Sequence, residues 1–278
     1  MTSIQILCDN NIDRTDFLGE HGFAALVTHN ARAYLFDTGQ GHTLPHNVQC
    51  GGIRMKDIKA VLLSHGQYDH TGGLAWVLEQ TGPVPIHAHP SLFSPHLAQR
   101  ADDPSTAPRY IGCPRTREEL EAAGGRFVFH AHTSEIATGL WFISGYERNP
   151  DQTPADGQLV LPGPAGPVPD PIAEDASLLL DTEAGPVLLL GCAHGGLLNI
   201  LDHIRDRLGI DRLHAVLGGT HLMFFTPAQV RAVIDAFERF EVAVVGVSHC
   251  TGSDAAMVLA RHFGDRFHRA AAGCVFRF

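Results

Sequence analysis

The sequence predicts an α/β protein in which two mixed β-sheets are covered by helices. Segments of strand length come first and segments with helical periodicity follow, and this order occurs twice along the chain. Four of the apolar segments run into a short loop of small residues that presents a histidine. Neither an internal repeat nor a linker divides the 278 residues, so we expect a single domain that spans 1–278.

The elements of the first half are short apolar segments bounded by turn residues. The expected strands are 4–7, 23–28, 33–36, 60–63 and 84–87, and the expected helix is 74–80. A turn at His29 and Asn30 joins the second and third of these strands as a hairpin. The first half should therefore supply most of one sheet.

In the second half, helices are recognised by their ends as well as by their periodicity. Residues 197–208 carry apolar side chains at the helical spacing, and Thr226 followed by Pro227 is a typical helix start. A last helix begins at Ser253 and should stop at Gly264. The expected strands of this half are 125–130, 140–144, 178–180, 187–190, 215–217 and 242–247.

Residues 91–172 are expected to form an irregular insertion rich in proline and glycine. The interval 100–117 contains many Pro, Asp, Ser and Thr residues, and 147–171 holds much of the chain's proline. Long loops inside a domain are often functional, and covering a pocket is their usual form. A lid over the active site and a solvated connector both fit this composition.

Composition and charge describe a soluble protein that acts on a small molecule. Hydrophobic residues make up 44% of the chain, and no apolar run approaches the ~20 residues of a transmembrane helix. The formal net charge is −10, which argues against a general nucleic-acid surface. We expect a small-molecule substrate and neither a nucleic-acid nor a membrane partner, while the oligomeric state is open.

Cysteine usage indicates a reducing compartment. The six cysteines occur without a CxxC pair, and the first residues lack a basic stretch followed by a long apolar region. We therefore expect a cytoplasmic protein with free thiols. Cys192 and Cys250 stand beside two of the strand-end histidines. Packing is the simpler role for both, and support of a metal ligand or ligation itself is the alternative.

The stretch 60–73 carries the strongest chemical signal. Its apolar strand ends in a loop that contains His65, Asp69 and His70, and imidazole and carboxylate groups suit zinc or a similar ion. The corresponding histidines after three other strands are His194, His221 and His249. Ligands of open α/β sheets bind outside the strand ends, so these side chains are expected to share one metal site.

Three further polar residues need separate consideration. Asp37 directly follows an apolar strand, so it either caps a turn or accepts a hydrogen bond that steadies the metal loop. His87 and His89 have ligand-like spacing, but prolines flank them and no long apolar strand leads to them. We expect both of these histidines to lie outside the site.

The residues of these loops resemble the signature of the metallo-β-lactamase superfamily, which is H-x-H-x-D-H after a strand. The motifs that carry the resemblance are DNN near the start, EHG at 20–22, DTGQ at 37–40, SHGxYDHTGGL at 64–74, GCAHGGLLNI at 191–200, GGTHL at 218–222 and HCTG at 249–252. They are similar to the subgroup of the dihydropterin-linked synthase of methanopterin biosynthesis and the folate-binding hydrolase-like proteins. The resemblance implies an αβ/βα sandwich, in which two mixed sheets are flanked by helices.

The resemblance also implies a site for two metal ions. Its ligands would be His65, residue 67 and His194 for the first ion, and Asp69, His70 and His249 for the second. His221 stands where many members carry a bridging aspartate. Residue 67 is Gln67 instead of the usual histidine, and an amide oxygen binds zinc more weakly than imidazole does. The first ion should therefore bind weakly, depend on His221 or be missing.

The resemblance implies a divalent metal, with zinc as the first choice and iron or manganese as alternatives. A metal-bound hydroxide would then hydrolyse a small cytosolic metabolite. Asp69 and His70 would be the catalytic residues, while Asp37, Cys250 and Thr251 would support the ligands or contact the substrate. The subgroup implies an alternative, a pterin- or folate-binding transferase. A third interpretation is a non-catalytic metal- or ligand-binding protein in which the missing histidine marks lost catalysis.

Overall fold

The computed structural model describes residues 1–100, 103 and 106–278, and within them two seven-stranded sheets and one four-stranded sheet. The strands, in chain order, are β1 (Ser3–Cys8), β2 (Ala24–His29), β3 (Arg32–Phe36), β4 (Ile58–Leu62), β5 (Val84–Ala88), β6 (Leu97–Ala98), β7 (Arg109–Tyr110), β8 (Gly125–Phe129), β9 (Ser134–Ala137), β10 (Leu140–Ile143), β11 (Leu159–Leu161), β12 (Val168–Pro169), β13 (Ser177–Leu180), β14 (Val187–Leu190), β15 (Ala215–Gly219), β16 (Val244–Ser248), β17 (Phe267–Arg269) and β18 (Val275–Arg277).

The α-helices lie between these strands. In chain order they are α1 (Leu44–Cys50), α2 (Tyr68–Thr71), α3 (Leu74–Thr81), α4 (Arg117–Ala122), α5 (Leu197–Leu208), α6 (Pro227–Arg239) and α7 (Ser253–Phe263). Short 3-10 helices occupy Met55–Asp57, Pro150–Gln152, Leu222–Phe224, His249–Thr251 and Gly264–Arg266. As the sequence predicts, α6 begins with Thr226 as its N-cap and Pro227 in its first turn.

The strand order brings several loops to one edge. The first sheet runs β18-β1-β2-β3-β4-β5-β8, and the second runs β17-β16-β15-β14-β13-β10-β9. The pairs from β3 to β8 are parallel in the first sheet, and those from β14 to β17 are parallel in the second. Parallel strands end on the same side, so the loops that follow β4, β14, β15 and β16 can meet.

Apolar residues on both faces of the central strands explain the layered packing. Successive side chains of a strand point to opposite faces. Leu62 and Leu189 are fully buried among side chains of both large sheets, whereas Val61 and Leu188 face the outer layers that contain α3 and α5. Helix, sheet, sheet and helix therefore form four layers, which confirms the αβ/βα sandwich.

The structure differs from the sequence prediction in the outer elements. The short helices α1 and α4 were not expected, although Thr116 and Glu119 form a capping box that is visible in the sequence. The expectation of an irregular chain over 91–172 is wrong in part, because β6, β7, β11 and β12 pair as a small sheet. These strands have only two or three residues, too few to show a period. Among the described helices, none is both long and apolar enough to cross a bilayer.

An ion-pair cluster fastens this insertion to the rest of the fold. His96 is buried, and its Nδ1 lies 2.6 Å from Asp170 Oδ2 while its Nε2 lies 2.5 Å from Glu174 Oε1. Glu174 Oε1 also accepts a hydrogen bond of 3.2 Å from the backbone N–H of Gly66. Burial lowers the pKa of His96, but the two carboxylates outweigh this effect and raise it to about 9.

The raised pKa of His96 predicts a pH-dependent stability. A histidine whose folded pKa is above its unfolded value of about 6.5 stabilises the fold fully below that pH, and the contribution disappears as the pH rises through about 9. We expect His96→Gln to remove a contribution of roughly 2–3 kcal/mol between pH 6 and pH 10. Urea unfolding of both proteins across this range measures it. A difference in free energy of unfolding that does not change with pH would contradict the prediction.

Candidate metal centre

Four histidine-bearing loops meet at the edge where β4, β14, β15 and β16 end. The ring centroids of His65 and His70 are 4.1 Å apart, and those of His65 and His194 are 4.7 Å apart. His221 lies 4.2 Å from His194, and His249 lies 5.0 Å from His70. The structure thus brings together all five strand-end histidines that the sequence singles out.

Asp37 holds the loop that follows β4. Its Oδ1 accepts the backbone N–H of Ser64 at 2.7 Å, and its Oδ2 accepts the Ser64 hydroxyl at 2.7 Å. The same Oδ2 lies 2.7 Å from His70 Nδ1. A carboxylate can only accept a hydrogen bond, so this contact places a proton of His70 on Nδ1 and directs Nε2 into the site. Asp37 thereby fixes both the loop and the tautomer of one ring.

His249 is oriented in the same way by Asn10. His249 Nδ1 lies 2.9 Å from Asn10 Oδ1, and the backbone N–H of Gly22 also donates to this oxygen. The oxygen is therefore the acceptor, and Nε2 of the ring faces the site. The Nε2 atoms of His70 and His249 are 3.3 Å apart. Burial lowers the pKa of His249, but its hydrogen bond to Asp69 outweighs burial and raises it. A divalent ion would replace the proton that these groups share, so they fit a metal site.

Asp69 completes the second metal position, which we define as Asp69, His70 and His249. Its Oδ2 lies 3.3 Å from His249 Nε2 and 3.2 Å from His21 Nε2. Burial raises the pKa of Asp69, but the hydrogen bonds from His21 and His249 and the charge of His70 outweigh burial and hold this pKa well below its usual value. The carboxylate is therefore ionised, as a metal ligand must be.

The sequence reasoning about strand ends missed His21, which lies in the loop before β2. The backbone N–H of Phe23 donates to the carbonyl of Asp69 at 3.1 Å, and this bond brings the loop beside the site. The EHG motif at 20–22 was the available signal, because it belongs to the resemblance but follows no apolar strand. His21 is also the exposed member of the cluster, with 57% of its side chain accessible.

The first metal position, defined as His65, Gln67 and His194, also leaves buried polar atoms free. His65 Nδ1 contacts Ser64 Oγ at 2.8 Å, and its Nε2 lies 3.2 Å from Gln67 Oε1. Within the described part of the chain, His194 Nε2 and Gln67 Nε2 are buried without a hydrogen-bond partner. Burial and then the neighbouring histidines hold the pKa of both His65 and His194 well below the usual value, so both rings are neutral donors.

His221 links the site to the insertion. Its Nε2 lies 3.4 Å from Asp156 Oδ2, and its Nδ1 has no partner among the described residues. Burial lowers the pKa of His221, but Asp156 and then Cys250 outweigh burial and raise it to about 9. Residues 153–172 close over His221 and His194 and leave a cavity of about 50 Å³. Such a cavity holds a few waters, whereas a drug-sized ligand needs about 300 Å³ or more.

The remaining candidates lie beneath the histidines or outside the site. Cys192 Sγ is 3.2 Å from His70 Nε2, and Cys250 Sγ contacts the carbonyl of Cys192 at 3.5 Å. Thr251 Oγ1 donates to the carbonyl of Ser248, so it shapes the loop after β16. His87 pairs with His130, as the atoms Nδ1 and Nε2 are 2.8 Å apart. His87 therefore has a structural partner on β5 and β8, away from these loops.

The backbone at the strand ends adopts an unusual conformation. The residues with positive φ in these loops are Asp37 (56°), Ala193 (59°), His221 (51°) and His249 (46°). Residues other than glycine rarely adopt this left-handed region, although asparagine, aspartate and histidine do so more often than the rest. At each of these positions the conformation turns the chain sharply after a strand and directs the following loop across the site.

The converging Nε2 atoms of His70 and His249, the ionised carboxylate of Asp69 and the unpartnered buried nitrogens are what a divalent cation would satisfy. We expect Gln67→His to raise the number of metal ions bound per chain, because imidazole would replace a weak amide ligand beside His65 and His194. Elemental analysis of the purified variant measures the ratio. Gln67→Ala, which supplies no ligand at all, is the matched control. Equal ratios in all three proteins would show that Gln67 does not limit occupancy.

Comparison with known proteins agrees with this geometry. Residues 19–249 match the profile of the metallo-beta-lactamase superfamily. The chain is 27% identical over 276 residues to the 7,8-dihydropterin-6-methyl-4-(beta-D-ribofuranosyl)-aminobenzene-5'-phosphate synthase of Methanocaldococcus jannaschii, covering 94% of this chain and 91% of the relative. A solved structure of a metal-dependent hydrolase of the beta-lactamase superfamily is 26% identical, with a TM-score of 0.84 and coverage of 100% and 99%. Zinc-bound PqqB from Methylobacterium extorquens shares the fold at 12% identity, with a TM-score of 0.60 and coverage of 99% and 100%.

Proposed function

Because the chain belongs to the metallo-beta-lactamase superfamily, we propose that it is a metal-dependent hydrolase that acts on a small metabolite. The observation that carries this proposal is the convergence of three ligand groups: the Nε2 atoms of His70 and His249 lie 3.3 Å apart, and His249 Nε2 lies 3.3 Å from the ionised carboxylate of Asp69. This geometry would stabilise a bound cation more than it stabilises the metal-free fold. The similarity to a metal-dependent hydrolase over the whole chain supports the same choice.

The second metal position has the donors for a catalytic ion. Asp69, His70 and His249 would hold it, and His65, His194 and His221 would hold another ion with weaker support from Gln67. When bound, a divalent ion supplies Lewis acidity, which lowers the pKa of water and polarises a carbonyl or phosphoryl oxygen. Three protein ligands leave a coordination position open for this purpose.

Asp69 would accept the proton of the attacking water, and His21 would orient Asp69. The carboxylate of Asp69 is ionised and buried, so it can accept a proton at Oδ2 when a water molecule attacks the substrate. His21 Nε2 lies 3.2 Å from that oxygen and donates a hydrogen bond to it, so His21 would hold the carboxylate in its ionised, oriented state at the solvent-exposed side of the site. His70 would act by holding the metal and by its fixed orientation against Asp37.

We further propose that residues 153–172 act as a lid. The contact of Asp156 with His221 and the small cavity beneath it support this role, because the cavity beside His194 and His221 is smaller than a drug-sized ligand needs. Opening would break the contact of Asp156 with His221, while the buried pair of Asp170 with His96 and the pairing of β11 with β6 would anchor the rest of the segment. The expectation of a lid is favoured over that of a solvated connector on this ground.

The test combines metal analysis with a substrate survey. Elemental analysis of protein purified without added metal should give about one or two equivalents of a divalent metal per chain. Esters, lactones and phosphodiesters should then be screened against a His70→Ala control of equal concentration. Hydrolysis above that control supports the proposal. Bound metal with no turnover on any of the three classes would instead favour a binding protein, and absence of metal after reconstitution would refute the metal site.

A second candidate is a pterin- or folate-binding transferase. It is favoured by the similarity to the synthase, whose printed name describes a molecule with a dihydropterin and a ribofuranosyl-aminobenzene 5'-phosphate. Reduced pterins and folates absorb in the near ultraviolet, so a titration with the protein reports binding directly. A saturable spectral change that His70→Ala weakens would favour this candidate. No change at high ligand concentration would remove its support.

A further inference from the structure

The site contains a metal-binding group that neither the strand-end histidines nor the family comparison accounts for. Cys192 lies two residues before His194 and is buried to 1% exposure. Its Sγ is 3.2 Å from His70 Nε2, and the ligand atoms of His65, His70 and Cys192 all lie within 4.8 Å of one another. Cys192 also belongs to a second such group with His221 and Cys250. The thiol is thus at the centre of the histidine cluster.

The spacing around Cys192 resembles that of ligands around one ion. Zinc bonds of about 2.0–2.3 Å at tetrahedral angles place neighbouring ligand atoms roughly 3.3–3.8 Å apart. The separations here are 3.2 Å for Cys192 Sγ and His70 Nε2, and 3.3 Å for the Nε2 atoms of His70 and His249. In the metal-free protein the thiol can donate a weak hydrogen bond to His70 Nε2, and a metal ion would replace that proton. The same nitrogen therefore faces two donors at ligand spacing.

We propose that Cys192 is a direct metal ligand and supplies, as a thiolate, the strong donor that Gln67 does not provide at this centre. The inference rests on the metal site of the proposed function and deepens it. When the sulfur–metal bond forms, the thiol releases one proton to solvent, and no oxidation occurs. Gln67 Nε2, His194 Nε2 and His221 Nδ1 are buried without partners in the described part of the chain, which independently marks the surrounding space as a place for a ligand.

A thiolate ligand narrows the choice of metal. Sulfur donors favour zinc over manganese, whereas a site of imidazole and carboxylate alone accepts several ions. Cys250 is the natural comparison, because it is also buried and its Sγ approaches the carbonyl of Cys192 and the ring of His221 rather than a ring of the second metal position. The inference assigns ligation to Cys192 and leaves Cys250 as a packing neighbour.

X-ray absorption of the zinc-loaded wild-type protein tests the presence of sulfur without any mutation. A sulfur shell at about 2.3 Å is expected in addition to nitrogen and oxygen at about 2.0–2.2 Å. Because the wild-type chain is used, the absence of a sulfur shell could not be attributed to misfolding of a variant. A shell of nitrogen and oxygen alone overturns the inference and leaves the proposed function standing. Failure to bind zinc at all counts against both.

Cobalt substitution identifies which cysteine is bound. Cobalt-loaded wild-type protein should show sulfur-to-metal charge-transfer absorption in the near ultraviolet. Cys192→Ser should lose this absorption and bind zinc about tenfold or more weakly, while Cys250→Ser should keep it. The reverse result would assign the ligand to Cys250 and overturn the inference. Melting curves of the metal-free variants check folding, and if Cys192→Ser does not fold, retention or loss of absorption in Cys250→Ser still decides between the two thiols.

Discussion

Asp37→Asn should weaken metal binding by about 10–100-fold and leave the protein folded, because outer hydrogen-bond partners of metal ligands typically contribute this much. The asparagine side chain matches the shape of Asp37 and tolerates its positive φ of 56°. Its amide nitrogen can only donate, so when this group faces His70 Nδ1, the proton of the ring must move to Nε2. That proton would occupy the lone pair that points to His249.

Competition with a chromophoric chelator measures the metal affinity of this variant. Nitrogen-15 spectra of the histidine rings report the tautomer of His70 directly. Asp175→Asn is the control, because Asp175 is equally buried and binds the Tyr146 hydroxyl and the Gly195 amide instead of His70. An Asp37→Asn protein that holds its metal as tightly as the control would show that the carboxylate does not set the tautomer.

Gly66→Ala should reduce the free energy of unfolding by about 3 kcal/mol or more, at the upper end of overpacking effects. A Cβ at this position would lie 2.1 Å from the carbonyl oxygen of Leu92, which is backbone and cannot rotate away. It would also lie 3.2 Å from His96 Nε2. The loop that carries His65 and Gln67 would have to move from the segment that follows β5, so metal affinity should fall together with stability.

Gly157→Ala is the matched control for this change. A Cβ at Gly157 meets nothing within 4 Å, so its effect should stay within about 0.5 kcal/mol. Urea unfolding of the metal-free proteins gives both values. If Gly66→Ala is as stable as Gly157→Ala, the close approach of the two loops is not a feature of the folded protein.

The parts of the fold that sequence predicts are those whose stability comes from long buried strands. β14 is apolar throughout and β4 has one exposed lysine, Lys59, before its apolar end, so both could be placed from sequence, and each leads directly to a histidine of the site. His21 could not be placed in this way, because its position depends on a backbone hydrogen bond between Phe23 and Asp69. The cluster of His96 with Asp170 and Glu174 joins residues more than 70 positions apart in the sequence. No local sequence pattern predicts such a contact.

The insertion was the least predictable region for a related reason. β11 and β12 contribute three and two residues, so the sheet they form with β6 and β7 is stabilised by its surroundings rather than by its own periodicity. Its proline content correctly suggested many turns but concealed the pairing of Pro169 with Val160. Proline is tolerated there because β12 lies at the edge of its sheet.

The residues with a left-handed backbone conformation at the strand ends lower the stability of the fold, and they also place side chains of the candidate site. Ala193, His221 and His249 each hold a conformation that costs an L-residue roughly 1–2 kcal/mol. Glycine would relieve that cost at each position, and at two of them it would also delete an imidazole. Glycine variants at these positions would therefore gain stability and, at two of them, lose a ligand of the candidate centre, so stability and the candidate metal site oppose each other in the loops and not in the sheets.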